Sequence, residues 1–193
     1  MRSALLLLSL LPAALAAQHG ATSSLVTTAP KEASQLAFLV GQWELVATPA
    51  ATSLATRIHG VPKLIGSWKA SRALDGFGIE DDLRLGDKSG NPLLFSHAVR
   101  LYDAASRRWI ISALDVYRAT FSSSTGEWRD GQFIVTSRNT DPAGQAYLSR
   151  SKFHDITADS FQWQQDRSTD DGKSWTEGTL KIVAKRAAPA AAR

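Results

Sequence analysis

From residue 41 onward the chain is made of short segments in which apolar and polar residues alternate with a period of two. Each segment places its apolar side chains on one face of an extended strand, as residues 93–102 show. Turn residues such as Asp75-Gly76 separate the segments, and no helical pattern lies between them. This regular spacing predicts an all-β fold, and an up-and-down order is favoured because nearly every connection is short enough for a hairpin. We expect an antiparallel up-and-down barrel of about ten strands, with a sandwich as the alternative.

Residues 31–40 alone have the period of a helix. Four apolar residues recur there at i, i+3, i+4 and i+7: Ala33, Leu36, Ala37 and Val40. Pro30 suits the first turn of a helix, and Gly41 suits its end. We therefore predict one short N-terminal helix that closes an end of the barrel. Residues 48–65 are rich in Ala, Thr, Pro and Gly, and form either a long loop or a weak second strand.

Residues 1–17 have the pattern of a secretory signal peptide. Arg2 provides a positive charge, residues 4–11 are largely apolar, and small residues precede a cleavage site after Ala16 or Ala17. A transmembrane helix needs about 20 apolar residues, so this run is too short to anchor the protein. We predict export to the periplasm or the extracellular space, with no membrane anchor.

Cysteine is absent from the 193 residues, which excludes a lipid anchor at the signal and a disulfide framework. After the signal we expect a flexible leader over 18–30, one barrel domain over 31–186 and a disordered tail over 187–193. The net charge is +4, but Lys and Arg are scattered along the chain. A nucleic-acid-binding protein would concentrate them on one element, so nucleic acid is not an expected partner.

Residues 168–175 match the Asp-box pattern Ser-x-Asp-x-Gly-x-x-Trp. In this pattern the Asp side chain caps backbone amides of a turn, the Gly takes a positive φ and the Trp packs back under the hairpin. We assign it a structural role in the last hairpin. A single copy does not predict a propeller, whose blades would repeat at a longer period.

Eight side chains are candidates for ligand binding: Trp68, Glu80, Asp82, His97, Arg100, Tyr102, Trp109 and Trp163. Arg100 is the first choice, because it lies opposite the apolar face of its strand and can bond to a carboxylate or phenolate. His97 lies among apolar residues such as Phe95, which predicts a core or cavity histidine. Glu80 and Asp82 share a face that forms a polar cavity patch if it points inward. We favour the outward orientation, because the opposite face is mostly apolar.

The three tryptophans of that set, at positions 68, 109 and 163, lie in strands and either line a pocket or form plain core. No two histidines have the spacing of metal ligands on one strand or helix, so we predict no metal site. Nucleophile signatures and phosphate-binding loops are also missing from the sequence, and we predict no cofactor.

Several short motifs occur in a defined order: Phe38-Leu39-Val40-Gly41-Gln42-Trp43, Leu74-Asp75-Gly76, Arg100-Leu101-Tyr102-Asp103 followed by Trp109, Phe161-x-Trp163, and Ser168 to Trp175. Together they resemble an uncharacterised family of bacterial secreted proteins, domain-of-unknown-function proteins with a lipocalin-like (calycin) barrel. The resemblance covers roughly residues 35–186. It implies a ten-stranded calycin-type barrel and, by analogy, a cavity for a small ligand.

The Gly41-x-Trp43 start is also similar to that of the haem-binding nitrobindins. Their pattern continues Gly-x-Gly after the Trp, whereas Glu44-Leu45-Val46 follows here. Their haem-ligating His lies near the C-terminus, where residues 179–186 contain none. The comparison therefore argues against haem binding, which would have to use His97 or His154 as the ligand.

The sequence supports three hypotheses of function. The main hypothesis is an exported protein that binds a small apolar or amphiphilic molecule in the barrel cavity. The first alternative is an isomerase, cyclase or lyase that uses His97 with Glu80 or Asp82 as acid and base. The second is a structural or interaction module without ligand, which predicts an exposed apolar patch in place of a pocket.

Overall fold

The computed structural model describes residues 25–141 and 143–188. The predicted signal peptide, residues 1–17, lies outside the described residues. Residues 18–24 of the predicted leader and residues 189–193 of the predicted tail lie outside them as well.

In the described part of the chain, ten antiparallel strands form one closed barrel, in which each strand pairs with its sequence neighbours and the last strand pairs with the first. The strands are β1 Gly41–Pro49, β2 Leu64–Ala73, β3 Gly78–Gly86, β4 Pro92–Asp103, β5 Arg108–Asp115, β6 Thr120–Arg129, β7 Gln132–Thr140, β8 Ala146–His154, β9 Ser160–Ser168 and β10 Thr176–Arg186. This confirms the predicted antiparallel up-and-down barrel of about ten strands. The hairpins follow the turn chemistry of the sequence: Asp130 and Gly131, both at positive φ, join β6 to β7.

The segment Lys31–Leu39 is a 3-10 helix, interrupted at Leu36 by non-helical backbone angles. Its buried residues are Ala33, Leu36 and Leu39, at a spacing of three, because a 3-10 helix has three residues per turn. The α-helical spacing predicted from sequence places Ala37 on the buried face, but Ala37 is exposed.

This 3-10 segment covers one end of the barrel. Trp43 donates its indole N–H to the carbonyl of Leu39 at 2.8 Å, and Trp109 donates to Oε1 of Gln35 at 3.1 Å. A cluster of fully buried aromatic rings lies beneath it: Trp43, Trp109, Phe133, Phe153 and Phe161. Their edge-on contacts, with ring centroids 4.8 Å apart for Trp43 and Phe161, fill this end with apolar side chains. We call it the closed end, and the opposite end the open end.

The long connection between β1 and β2 lies at the open end and contains a short helix, α1 Leu54–His59. A capping box starts it, since Ser53 and Thr56 each accept a hydrogen bond from the other's backbone N–H. For this stretch the sequence predicts either a long loop or a weak second strand. The structure shows a connection with one short helix, and residues 50–63 contain no strand. Among the described residues, no helix has the length and apolar character required to cross a membrane.

The Asp-box forms the β9–β10 hairpin, as the sequence predicts. Asp170 accepts hydrogen bonds from the backbone and hydroxyl of Ser174, and these bonds lower the pKa of Asp170 to about 2. Gly172 has a φ of +86° and donates its N–H to Ser168. Trp175 packs against the guanidinium of Arg150, whose Cζ lies 4.3 Å from the ring centroid. The motif therefore stabilises the turn.

Candidate functional site

The side chains of the described residues do not fill the middle of the barrel or its open end. A cavity of about 250 Å³ lies there, lined by inward-facing residues of β2 to β9. Its wall is mixed in character, with apolar and polar residues contributed by many of the same strands. The apolar part consists of Trp68, Leu83, Ala98, Ile111, Ala113, Val135, Phe153 and Trp163. The polar part consists of Asp81, Ser96, Arg100, Ser122, Ser124, Ser137, Asn139, Tyr147, Ser149, Ser151 and Gln165.

A buried ion pair forms the charged part of the cavity wall. Arg100 on β4 donates from Nε to Oδ2 of Asp81 at 2.5 Å and from Nη2 to Oδ1 at 3.1 Å. Asp81 lies on β3 and also accepts the indole N–H of Trp68 at 2.7 Å. Only 3% of Asp81 and 7% of Arg100 are exposed. A bidentate geometry with a third donor is the arrangement that offsets the cost of burying two charges.

Arg100 retains hydrogen-bonding capacity after this pairing. A guanidinium has five N–H groups, and Asp81 accepts two of them. The other three, two on Nη1 and one on Nη2, have no partner among the described residues. They are not among the buried donors that lack a partner, so they are reached from the cavity and can donate to an acceptor that enters it.

The polar wall on β7 and β8 is internally bonded. The hydroxyls of Ser137 and Ser149 lie 2.7 Å apart, and Nδ2 of Asn139 donates to both at 3.0 Å. The Asn139 donors are thereby committed to this cluster, and its carbonyl oxygen stays available to the cavity. The cluster gives the open half of the cavity a hydrogen-bonding surface of hydroxyls and an amide.

Aromatic rings form the apolar wall between the ion pair and the closed end. Trp68 and Phe153 have ring centroids 5.4 Å apart, and the Arg100 guanidinium lies 6.0 Å from the Phe153 centroid. Trp163 extends this surface along β9. A flat apolar group placed here would contact rings on one side and have Arg100 within reach.

The structure brings together three of the eight sequence candidates. Trp68, Arg100 and Trp163 all line the cavity. Trp109 and Tyr102 also face inward, but they pack against each other at the closed end with centroids 5.8 Å apart, away from the cavity. Trp109 is therefore core, the second of the two roles that its sequence position allowed.

The remaining candidates, Glu80, Asp82 and His97, lie on the outer surface of the barrel. For Glu80 and Asp82 this is the orientation that the sequence favoured. For His97 the prediction of a core or cavity position was wrong. His97 Nδ1 lies 2.8 Å from Oδ1 of Asp82, and both line a surface depression of about 430 Å³.

The apolar residues of β4 explain the error over His97. Phe95 lies on the same face of β4 as His97, and it is more apolar than Ser96 or Ala98 on the other face. The small residues nevertheless face inward, where they line the cavity. Phe95 instead packs outside under the guanidinium of Arg84, whose Cζ is 3.4 Å from the ring centroid. An aromatic ring covered by a guanidinium is well accommodated on an outer face.

Sequence reasoning missed Asp81 and the serine and asparagine residues of the cavity. Alternation places Asp81 on the same face as Ile79 and Leu83, so an acidic residue on an apolar strand face was visible. Such a residue requires a buried partner, which is a signal for a site. The serines gave no comparable signal, because serines on a strand are ordinarily exposed.

One outer region of the barrel is apolar. Val183, Val46 and Ile65 are register neighbours across β10, β1 and β2, and they are 44%, 43% and 46% exposed. The outward-facing register position two residues along, Glu44 opposite Lys185, carries both signs of charge. We call the three apolar residues the valine row.

Comparison with protein-family models finds no family that matches the chain. Comparison with the curated proteins finds no match either. The site must therefore be interpreted from its own geometry.

Proposed function

We propose that this barrel binds a small amphiphilic molecule in its interior cavity. The ligand places an apolar ring or short chain against Trp68, Phe153 and Trp163 and directs a hydrogen-bond acceptor to Arg100. The observation that carries the proposal is the buried Arg100 side chain, which keeps three N–H groups without a partner among the described residues on the wall of an unfilled cavity.

The acceptor is an uncharged oxygen. The Asp81 carboxylate already balances the charge of Arg100, and it lies within hydrogen-bond distance of the same guanidinium. A second carboxylate placed on Arg100 would be repelled by Asp81 in a region of low dielectric. A carbonyl, amide or hydroxyl oxygen accepts from the free N–H groups without that penalty. The ligand group proposed at Arg100 is therefore a neutral oxygen, in place of the carboxylate or phenolate expected from the sequence.

The cavity volume limits the size of the ligand. Drug-sized ligands occupy pockets of roughly 300–1,000 Å³, and this cavity has about 250 Å³. A molecule with one or two fused rings, or a short chain, fits that space.

We also propose that the protein belongs to a lipocalin-like family and is exported. The order of the motifs supports the family, and the signal pattern of residues 1–17 supports export.

The acid–base alternative required His97 and a carboxylate inside the cavity. His97, Glu80 and Asp82 lie outside it, so the enzymatic hypothesis loses its proposed site.

The interaction-module alternative retains one observation, the exposed valine row. Its flanking Glu44 and Lys185 allow a second copy of the chain to pair opposite charges about a two-fold axis, which sedimentation velocity would detect as a dimer.

Three matched probes test the proposed function: 1-naphthamide, 1-naphthoate and naphthalene. They share one apolar body and differ in the group presented to Arg100. We expect 1-naphthamide to quench tryptophan fluorescence with the lowest Kd, since only it supplies a neutral acceptor. Equal affinity for all three, or tightest binding of 1-naphthoate, would contradict the assigned role of Arg100.

A double variant and a single control variant complete the test. Asp81→Asn/Arg100→Met removes both charges together and keeps an acceptor for Trp68. We expect it to weaken 1-naphthamide binding by about tenfold or more, the value of a hydrogen bond from a charged donor. Arg84→Met on the outer face is the matched control and should leave binding unchanged. Isothermal titration calorimetry gives the Kd values, and no detectable binding of any probe would reject the proposed function.

A further inference from the structure

The barrel wall is incomplete between β6 and β7. Their pairing begins at Arg129 with Gln132 and ends at Thr125 with Thr136. Beyond that point β6 stays paired with β5 as far as Thr120, and β7 stays paired with β8 as far as Thr140. The two strands therefore diverge toward the open end. We call the space between residues 120–124 and residues 137–140 the β6–β7 gap.

The gap faces the cavity. Ser122 and Ser124 on one side of it and Ser137 and Asn139 on the other are all cavity-lining residues. Ser122 is solvent-exposed although it points toward the interior, so solvent reaches the cavity wall at this position. Phe121, which points outward from the same edge, is 83% exposed. The inward-facing side chains on the two edges are three serines and one asparagine, all small and polar.

The open end of the barrel is partly covered. Arg167 on β9 extends over the Tyr147 ring, with its Cζ 4.0 Å from the centroid, and donates to Oδ2 of Asp141 at 3.0 Å. These contacts connect β9 to β8 and to the turn that follows β7. Tyr147 itself lines the cavity. A ligand that entered along the barrel axis would pass this cluster, which narrows the axial route.

We propose that the β6–β7 gap is the passage by which a small neutral molecule enters and leaves the cavity. This inference rests on the proposed function for its ligand. The gap presents backbone N–H and C=O groups on both edges and hydroxyl and amide side chains between them. A neutral molecule with a polar group can exchange hydrogen bonds with these groups as it passes. Divergence of two strands by a few residues opens such a passage without unfolding either, because each keeps its other neighbour.

The absence of cysteine makes the passage testable by a single crosslink. Ser123 and Arg138 face outward on opposite edges of the gap, so Ser123→Cys/Arg138→Cys joins the edges without filling the cavity. The control, Thr125→Cys/Thr136→Cys, joins the same strands where they are already paired. Free-thiol titration measures closure, and dibromobimane crosslinks any pair that oxidation does not.

We expect the gap crosslink to slow both association and dissociation of 1-naphthamide at least tenfold, with Kd changed less than threefold. Reduction of the disulfide should restore the rates. Where bimane forms the crosslink, protein that was not treated with dibromobimane should keep the original rates. The control crosslink should not change them. Stopped-flow tryptophan fluorescence gives the rate constants. Unchanged rates in the fully crosslinked protein would show that the ligand enters elsewhere and would overturn the passage.

A readout without ligand separates this inference from the proposed function. Acrylamide, a neutral quencher, should reach fewer tryptophans after the gap is crosslinked, whether or not 1-naphthamide binds. Quenching that the crosslink leaves unaltered would reject the passage alone, and absent 1-naphthamide binding with reduced quenching would reject the proposed function alone. A protein that sediments as a dimer until the edges are crosslinked would identify the gap as a strand-pairing interface and overturn the passage.

Discussion

Arg100 and Asp81 form two hydrogen bonds to each other inside the barrel, although they are diagonal neighbours on adjacent strands and not register partners. Asp81 is opposite Ala98, and Arg100 is opposite Ile79. The long Arg100 side chain therefore reaches diagonally across the two strands to the carboxylate. Because both residues are almost fully buried, the pair controls the stability of the wall as well as the chemistry of the cavity.

Arg100→Met should lower the free energy of unfolding by about 3–5 kcal/mol, because it leaves the Asp81 carboxylate buried without its cation. Asp81→Asn/Arg100→Met should recover most of that loss, since neither charge remains. Urea unfolding followed by tryptophan fluorescence measures both. Equal destabilisation by the single and double variants would show that the charge of Asp81 is not the cause.

Asp166 should make stability depend on acid pH. Burial raises the pKa of its carboxyl, but hydrogen bonds from Lys152, the backbone of Gly178, Gln164 and Arg150 outweigh this and lower the pKa to about 2. Since the folded pKa lies below the unfolded value of 3.8, the stabilisation is present above about pH 4 and is lost as pH falls toward 2. Thermal unfolding between pH 5 and pH 2 should show this loss.

Asp166→Asn provides the matching variant. It should lower stability at pH 7 by about 2–3 kcal/mol, because the charged hydrogen bonds to Arg150 and Lys152 are weakened. Its melting temperature should also fall less between pH 5 and pH 2 than that of the unaltered protein. An unchanged acid slope would assign the pH dependence to other carboxylates.

Gly66→Ala should disrupt the pairing of β2 with β3. A Cβ built at Gly66 collides with the backbone carbonyl of Arg84 and approaches the Leu85 side chain to 2.9 Å. Because a backbone atom cannot move away as a side chain can, we expect poor folding or a loss of about 3 kcal/mol, which lowers the melting temperature by roughly 10 °C. Ser67→Ala, one residue along the same strand, is the control and should be nearly neutral.

Asp170→Ala should lower the melting temperature by loosening the β9–β10 turn. The variant removes the acceptor for the backbone and hydroxyl of Ser174. Ligand affinity should be unaffected, because the turn does not line the cavity. Differential scanning fluorimetry and 1-naphthamide titration together test this, and weaker binding with an unchanged melting temperature would contradict a purely structural role.

The strands were predictable from sequence because alternation and turn residues are local signals. The orientation of β4 was not, since Phe95 and His97 mimic a core face and only the presence of a cavity explains why Ser96 and Arg100 point inward. The partnership of Arg100 with Asp81 depends on the register of β3 against β4, which shifts between Leu85 and Gly86 at the open end. A register of this kind is set by tertiary pairing and leaves no mark in either strand alone.

The pairing of β1 with β10 has a consequence during synthesis. β1 is the first of the ten described strands, and it pairs with β10, the tenth. Until β10 emerges, β1 and β9 each present an open row of backbone donors and acceptors to any neighbouring chain. Closing the ring also costs the entropy of joining residues 43 and 186, which slows the final step. Among the described strands, the nascent chain is therefore most prone to aggregate just before the eleven-residue β10 is complete.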